Sequence, residues 1–372
     1  MYDGATVGVV VPAYNEQGFV GDVIETVPAF VDRVYVVDDC STDGTWDEIR
    51  ETLSRLHVPA AAGAAPRPVG DGGVGWRDRL VARVPRAGEA GPRWIVATRH
   101  KPNTGVGGAI KTGYLEAVDD NVDVVAVMNG DGQMDPAILG RIIDPVVAGD
   151  ADFAKGNRLR NATYRRDMSP WRTFGNYLLT YLTRVASGYW RMMDPQNGYT
   201  AVSKAALERV DLDTLYDDYG FCNHLLVRLN KQGLRIADVS MQAVYGEETS
   251  HIRYRKFIPA LSLLLLQSYL GRLVDGVGFD GRGTAAVAQL LGLVAVGCGL
   301  TVGSGALLAG VLAVMAAGGA LSAAGVAVFL GGIALERRLN AGLEVAVPSV
   351  NPSSVLHFGA TTAPDDTSRG EE

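Results

Sequence analysis

The sequence places Asn129, Asp131 and Gln133 alternately with glycines in Asn129-Gly130-Asp131-Gly132-Gln133. All three side chains offer oxygen, and the glycines let the backbone fold tightly around them. An oxygen-only set suits Mg²⁺ or Mn²⁺ bridging a diphosphate, not zinc. A solvated acidic loop has the same composition, so the turn gains meaning only from its setting. Asn15-Glu16 and Asp38-Asp39 share that setting, each lying at or just beyond the end of an apolar run. A second chemistry is carried by Arg158, Arg160, Arg165, Arg166, Arg172, Arg184 and Arg191, against the single acid Asp167. Guanidinium forks match phosphate oxygens bidentately, and anionic lipid head groups attract such clusters. The chain as a whole is acidic, with net charge −7. That balance excludes nucleic acid as a partner and makes the basic stretch a concentrated feature.

These residues need elements to hold them. Thr6–Val11, Arg33–Asp39, Trp94–Thr98 and Val122–Met128 are short, β-branched apolar runs that read as buried strands. Helical patterns lie between them over Glu16–Phe30, from Thr42–Thr45 onward with a capping hydroxyl or carboxylate, and over Ala109–Val118. The alternation predicts an α/β fold with a mostly parallel sheet flanked by helices. Ligands of such sheets bind beyond the carboxyl ends of the strands. The three polar strand ends are therefore expected to converge on one site. Residues 59–92, rich in Ala, Gly, Pro and Arg, read as an insertion loop without catalytic content.

The other half of the organisation is apolar. Thr284–Leu335 runs 52 residues without a charge, enough for two membrane helices of roughly 20 residues and a short turn. The turn is expected near Val302–Gly310 or Gly318–Gly325. Leu261–Leu270 follows a basic cluster and reads as a helix lying in the membrane interface, with a third span as the alternative. Arg253, Arg255, Lys256, Arg272 and Arg282 precede the apolar run, and Arg337 and Arg338 follow it. Basic flanks stay on the cytoplasmic side, so both ends of the hairpin are expected there with the polar domain. Cys40, Cys222 and Cys298 lie far apart and offer neither a disulfide framework nor a metal cluster.

VVPAYNE at 10–16, VVDDCSTDGT at 36–45, NTGVGGAIKTGY at 103–114 and NGDGQMDP at 129–136 resemble family 2 glycosyltransferases of the GT-A fold. The likeness is greatest to the dolichyl- or polyprenyl-phosphate mannosyl- and glucosyltransferases, in particular archaeal members with a C-terminal membrane hairpin. It runs from about Val7 to Ser250. It implies a GT-A domain over 1–250, a juxtamembrane basic segment and interfacial helix over 251–283, two spans over 284–335, and a disordered cytoplasmic tail over 336–372.

The resemblance also implies roles. Pro12, Tyr14 and Glu16 would hold the nucleotide and Asp39 its base, while Asp131 and Gln133 would bind the divalent metal on the donor diphosphate. Relatives usually carry an acid where this chain has Asn129, which can coordinate through its carbonyl but adds no charge. Lys111 either reaches phosphates or is a solvated helix residue. Arg158 and Arg172 match positions that hold a lipid phosphate, with Asn176 one helical turn beyond Arg172. Asp194 lies in a loop like the family's acidic loop beside the reacting sugar and is the candidate base. Asn223 and His224 stand where relatives often have an acid; His224 reads as a packed histidine. Tyr245–Ser250 resembles the segment that closes over donor phosphates.

The implied activity is a metal-dependent, inverting transfer of a sugar from a UDP-glucose- or GDP-mannose-type donor onto dolichyl or polyprenyl phosphate. A hydroxyl acceptor needs a positioned base. A lipid monophosphate, with a second pKa near 6, is already ionised at neutral pH. The many arginines therefore favour the phosphate. The alternatives are extension of a lipid-linked saccharide and, outside catalysis, a sugar-nucleotide-binding membrane scaffold. A processive synthase is disfavoured because no QxxRW motif follows the acidic turn.

Overall fold

The computed structural model describes residues 1–56, 75–84, 93–159, 170–242, 254–277, 283–309 and 311–347. In chain order the first half gives β1 (Val7–Ala13), α1 (Val20–Thr26), β2 (Arg33–Asp38), α2 (Thr45–Leu56), β3 (Gly75–Val84), β4 (Arg93–Lys101), α3 (Val106–Asp119), β5 (Val124–Val127) and α4 (Leu139–Val147). Then follow β6 (Phe153–Asn157), α5 (Pro170–Ser187), β7 (Thr200–Ser203), α6 (Lys204–Arg209), α7 (Phe221–Lys231) and β8 (Ile236–Ser240). Three long helices, α8 (Tyr254–Gly276), α9 (Gly283–Ala309) and α10 (Leu312–Leu339), precede a last short strand, β9 (Glu344–Ala346).

The strands form one sheet in the order β3-β4-β2-β1-β5-β7-β6-β8-β9. Pairing is parallel except that β3 runs against β4, and β7 runs against β5 and β6. Both faces are covered, so the central strands are apolar without alternation. Val7, Val9 and Val11 point into a core with α1, α2 and α4, whereas Val10 points into a second core with α3, α6 and α7. The expected α/β architecture is what the chain adopts. The first helix is shorter than its pattern: Glu16–Phe19 forms a turn after Asn15, whose φ is 58°. Within 59–92, residues 75–84 form the edge strand β3, against the expectation of a loop throughout. Their composition gave no strand pattern; the backbone of β4 supplies the ladder. The rest of that stretch lies outside the described residues.

Among the described residues three helices are long and apolar enough to cross a membrane, over Arg255–Gly276, Gly283–Leu307 and Leu312–Leu339. The first extends the expected Leu261–Leu270 helix in both directions. It lays Leu261, Leu265, Tyr269 and Leu273, spaced four apart, into a cluster with Ala186 of α5 and Val227 of α7. Ile258, Leu263, Leu266, Leu270 and Val274 remain exposed. α9 ends at Ala309 and α10 begins at Leu312, so the two form a hairpin that reverses at the end of the first expected position, Val302–Gly310. Small residues bring the backbones close: a Cβ on Gly299 would stand 2.5 Å from the Gly318 carbonyl.

Both open ends of the hairpin meet the sheet domain. Arg272 of α8 donates from Nε to the Ala186 carbonyl at 2.8 Å and pairs with Glu336 of α10. Asn340 donates to the Gly188 carbonyl at 3.0 Å. β9 then pairs in parallel with β8, Ile236 opposite Glu344. Residues 336–347 are thus ordered, which corrects the expectation of a disordered tail beginning at 336. The apolar run had drawn attention away from a three-residue strand whose partner lies a hundred residues earlier. The tail from 348 lies outside the described residues.

Candidate active site

The register explains why distant polar residues meet. Ala13 lies opposite Asp38, and Val10 opposite Val127. Parallel pairing therefore stacks the three polar strand ends at one edge of the sheet. Asp39 N–H donates to the Ala13 carbonyl at 2.9 Å, and Gly130 N–H to the Pro12 carbonyl at 3.0 Å. A Cβ on Gly130 would stand 3.1 Å from that carbonyl, so the acidic turn lies hard against β1. The reversed direction of β7 brings the loop before it, 194–199, to the same edge, where Gly156 N–H donates to the Tyr199 carbonyl. The expected convergence is observed.

On the β1–β2 side, Pro12 is buried and Tyr14 is exposed. Glu16 N–H donates to Thr45 Oγ1 at 2.8 Å, and Thr42 N–H to Asn15 Oδ1 at 2.8 Å, locking this loop to the start of α2. Asp39 is buried and heavily engaged. Its Oδ1 accepts from Thr104 N–H and Thr104 Oγ1 and meets His100 Nδ1, each at 2.8 Å, while Oδ2 accepts from Gly105 N–H at 2.7 Å. It anchors the loop leading into α3. Lys111 faces elsewhere, pairing with Asp217 and donating to the Leu215 carbonyl at 3.2 Å. Of the two expectations for Lys111 neither holds in full: it is a tether between α3 and the 215–217 segment.

In the acidic turn, Asp131 accepts from Gln133 N–H at 3.0 Å, and Gly132 takes a φ of 70°. Burial pushes the Asp131 carboxyl above its usual range, opposed only by hydrogen bonds from the turn. No cationic side chain pairs with it among the described residues. Nor is any cluster of three His, Cys, Asp or Glu side chains placed to hold a metal among them. A desolvated carboxylate flanked by two amides has the chemistry to fit a hard divalent cation, to which Asn129 and Gln133 could offer neutral oxygens.

The acceptor-side expectations take a different form. Asp194 and Arg158, read from sequence as a base and a phosphate ligand, are one ion pair, with Asp194 buried and Arg158 half-buried. Asp194 Oδ2 accepts from Arg158 Nε at 2.8 Å and from its backbone N–H at 3.0 Å; Oδ1 accepts from Nη2 at 2.8 Å. Burial pushes the Asp194 carboxyl up, but Arg158's bonds and charge, with Lys155 behind, outweigh it and hold the carboxyl below its usual value. A carboxylate so held is a poor proton acceptor near neutrality. Asn176 lies half-buried on α5. The side chain of Arg172, together with Arg160, Arg165, Arg166, Tyr245–Ser250 and Arg253, lies outside the described residues.

Asn223 is fully buried, donating to Thr183 Oγ1 at 2.7 Å and accepting from Gln196 of the Asp194 loop. His224 accepts from Tyr216 N–H at 3.1 Å, and burial with nearby cations lowers its pKa to about 4, so it is a neutral packed histidine. Sequence reasoning missed Lys155 and Asp238. Lys155, buried on β6, donates to the Met193 carbonyl and pairs with Asp238 Oδ1 at 3.1 Å. The charged pair at matching positions of adjacent strands was visible only once the sheet order was known.

A family model described as glycosyl transferase family 2 matches residues 8–58 and 75–211. The chain belongs to glycosyl transferase family 2. Those residues contain the carboxyl end of every strand except β8 and β9, and the family's GT-A fold accounts for the sheet. The UDP-N-acetylglucosamine–dolichyl-phosphate N-acetylglucosaminyltransferase of Methanococcus voltae is 25% identical over 64% of this chain and 85% of its own length. The undecaprenyl-phosphate mannosyltransferase of Micrococcus luteus is 25% identical over 64% of this chain and 83% of its own. The crystal structure of glucosyl-3-phosphoglycerate synthase from Mycobacterium tuberculosis, in complex with phosphoglyceric acid, overlays with a TM-score of 0.45 and 18% identity. That overlay covers 75% of this chain and 82% of the other. As a glycosyltransferase, the chain is an enzyme.

Proposed function

We propose that this glycosyltransferase moves a sugar from a nucleotide-sugar donor onto the phosphate of a dolichyl or polyprenyl lipid, with inversion at the anomeric carbon. The observation that carries the reading is the Arg158–Asp194 pair at the sheet edge. The carboxylate nearest the acceptor side is committed to orienting a guanidinium, which suits an acceptor that arrives ionised. An acceptor phosphate oxygen attacks the anomeric carbon as the bond to the diphosphate breaks. The electron pair leaves on the nucleoside diphosphate, and no proton need move. Positioning then supplies most of the rate. Both relatives' names specify a polyprenyl-type phosphate, in support of the same acceptor class.

In this reading Pro12, Tyr14 and Glu16 line the nucleotide side, and Asp39 serves it indirectly by fixing the 103–105 loop. Arg158 and Asn176 would bind the lipid phosphate, together with Arg172 as the sequence resemblance assigns it. Asp131, Asn129 and Gln133 would hold Mg²⁺ or Mn²⁺, which neutralises charge on the departing diphosphate. The hairpin of α9 and α10 spans the membrane, and α8 lies at its surface with one face on the domain. Basic flanks put the domain on the cytoplasmic side.

The test uses detergent-purified full-length protein with Mg²⁺ or Mn²⁺, a panel of UDP- and GDP-sugars, and dolichyl phosphate. Nucleoside diphosphate release that depends on lipid, with a sugar-1-phosphoryl lipid seen by mass, is expected for one donor. Donor turnover only with a lipid-linked saccharide would reject the phosphate acceptor, and donor binding without turnover under any acceptor would reject transfer.

A further inference from the structure

The loop that delivers Asp194 is held at nearly every backbone polar group. Arg184 of α5 donates to the Met192 carbonyl at 2.6 Å and to the Arg191 carbonyl at 3.3 Å. Lys155 takes the Met193 carbonyl, and Asp238 Oδ2 accepts from Met193 N–H at 2.8 Å. The three remaining amides converge on one carboxylate from the far end of the chain. Glu344 Oε2 accepts from Trp190 N–H at 2.9 Å, and Oε1 accepts from Arg191 N–H at 2.6 Å and Met192 N–H at 2.7 Å. Glu344 opens β9, the strand that follows the second membrane helix. Arg337, at the end of α10, lies 5.6 Å over the Trp190 ring. The residue directly after this clamped run is Asp194 itself, in a left-handed conformation at φ 51° that a loosened loop would not maintain.

We propose that Glu344 is a positioning residue for the acceptor phosphate. The strand returning from the membrane fixes loop 190–193, the loop fixes Asp194, and Asp194 sets the guanidinium of Arg158. The inference rests on the reading of Arg158 as a lipid-phosphate ligand. On this account the membrane hairpin both anchors the enzyme and brings back the residue that completes its acceptor site.

Glu344→Gln keeps the side-chain volume and the β9 backbone. It leaves one carbonyl oxygen for three amides and turns an N–H₂ toward donors. Three charge-assisted bonds become at most two neutral ones, a loss expected to raise KM for the acceptor about tenfold. The measurement is steady-state kinetics of the full chain in lipid nanodiscs, varying dolichyl phosphate against the nucleotide sugar that wild-type protein turns over. KM for dolichyl phosphate is expected to rise while donor affinity, read by calorimetry, stays at the wild-type value. A lower melting temperature and active fraction, with KM for dolichyl phosphate unchanged, would reduce Glu344 to a structural residue and overturn the inference. Should that variant fail to fold, Arg184→Gln loosens the same loop at its carbonyls and must give the same split; an unchanged lipid KM there overturns it equally. Wild-type protein that transfers to no lipid phosphate overturns the functional reading and this inference together. Transfer by wild type with no split in the variants overturns this inference alone.

Discussion

At the scale of single residues, the decisive finding is that Arg158 and Asp194, read from sequence as separate groups, are paired with each other. Asp194 is held ionised, its carboxyl below the usual 3.8. A depressed carboxyl stabilises the fold above its unfolded pKa and loses that contribution only as pH falls through the lower folded value. The Arg158–Asp194 pair is therefore intact from pH 5 to 8, and Asp194 contributes no ionisation to the rate there. The acid limb of kcat/KM for the acceptor is expected near pH 6, set by the second ionisation of the lipid phosphate. Asp194→Asn should lower kcat/KM by roughly a hundredfold through misplacement of Arg158 without moving that limb. A limb that disappears in the variant would restore Asp194 as the base. At the acidic turn, Asn129→Asp adds the missing charge and is expected to lower the half-saturating Mn²⁺ concentration roughly tenfold, read by titration of turnover. The motif residues and their grouping were legible in the sequence because each follows a buried strand. The Arg158–Asp194 pairing was not, since the two are 36 positions apart and join only where an antiparallel strand enters a parallel sheet.

At the scale of elements, strand ends and helix starts form the site by register. Gly105 precedes α3 as its N-cap; its φ of 87° and ψ of 162° suit only glycine, and its N–H donates to Asp39. A Cβ there would stand 2.5 Å from the Asp217 carbonyl. Gly105→Ala is expected to cost roughly 1–3 kcal/mol in stability from the backbone alone and to weaken donor binding by displacing Asp39. Thermal unfolding and donor titration check the two effects separately. The β1, β2 and β5 strands were plain in their apolar runs, because burial on both faces leaves no polar residue to confuse the pattern. β3 and β9 were not, because an edge strand needs few apolar residues and borrows its partner's backbone. The length of α8 was hidden for a related reason: Arg255, Lys256 and Arg272 break its hydropathy, yet Arg272 is buried against Glu336 and the carbonyls of α5.

At the scale of the whole molecule, that Arg272–Glu336 pair ties together α8, the last turn of α10 and the end of α5. Removing one partner of a buried pair strands the other charge, so Glu336→Ala is expected to cost roughly 3–5 kcal/mol. Arg272→Met with Glu336→Met should recover only part of this, because the Val185 and Ala186 carbonyls also lose their donor. Thermal unfolding of the single and double variants in detergent tests the order. The chain leaving the α9–α10 hairpin returns to the sheet, which is finished by β9 only after the hairpin. This connectivity imposes a schedule on biosynthesis. The ribosome releases β8 about a hundred residues before β9, so the newly made domain emerges with an open sheet edge and with the amides of Trp190–Met192 unclaimed. Only a chain that has completed both apolar helices and turned back between them can close that edge, so completion of the sheet waits on completion of the hairpin.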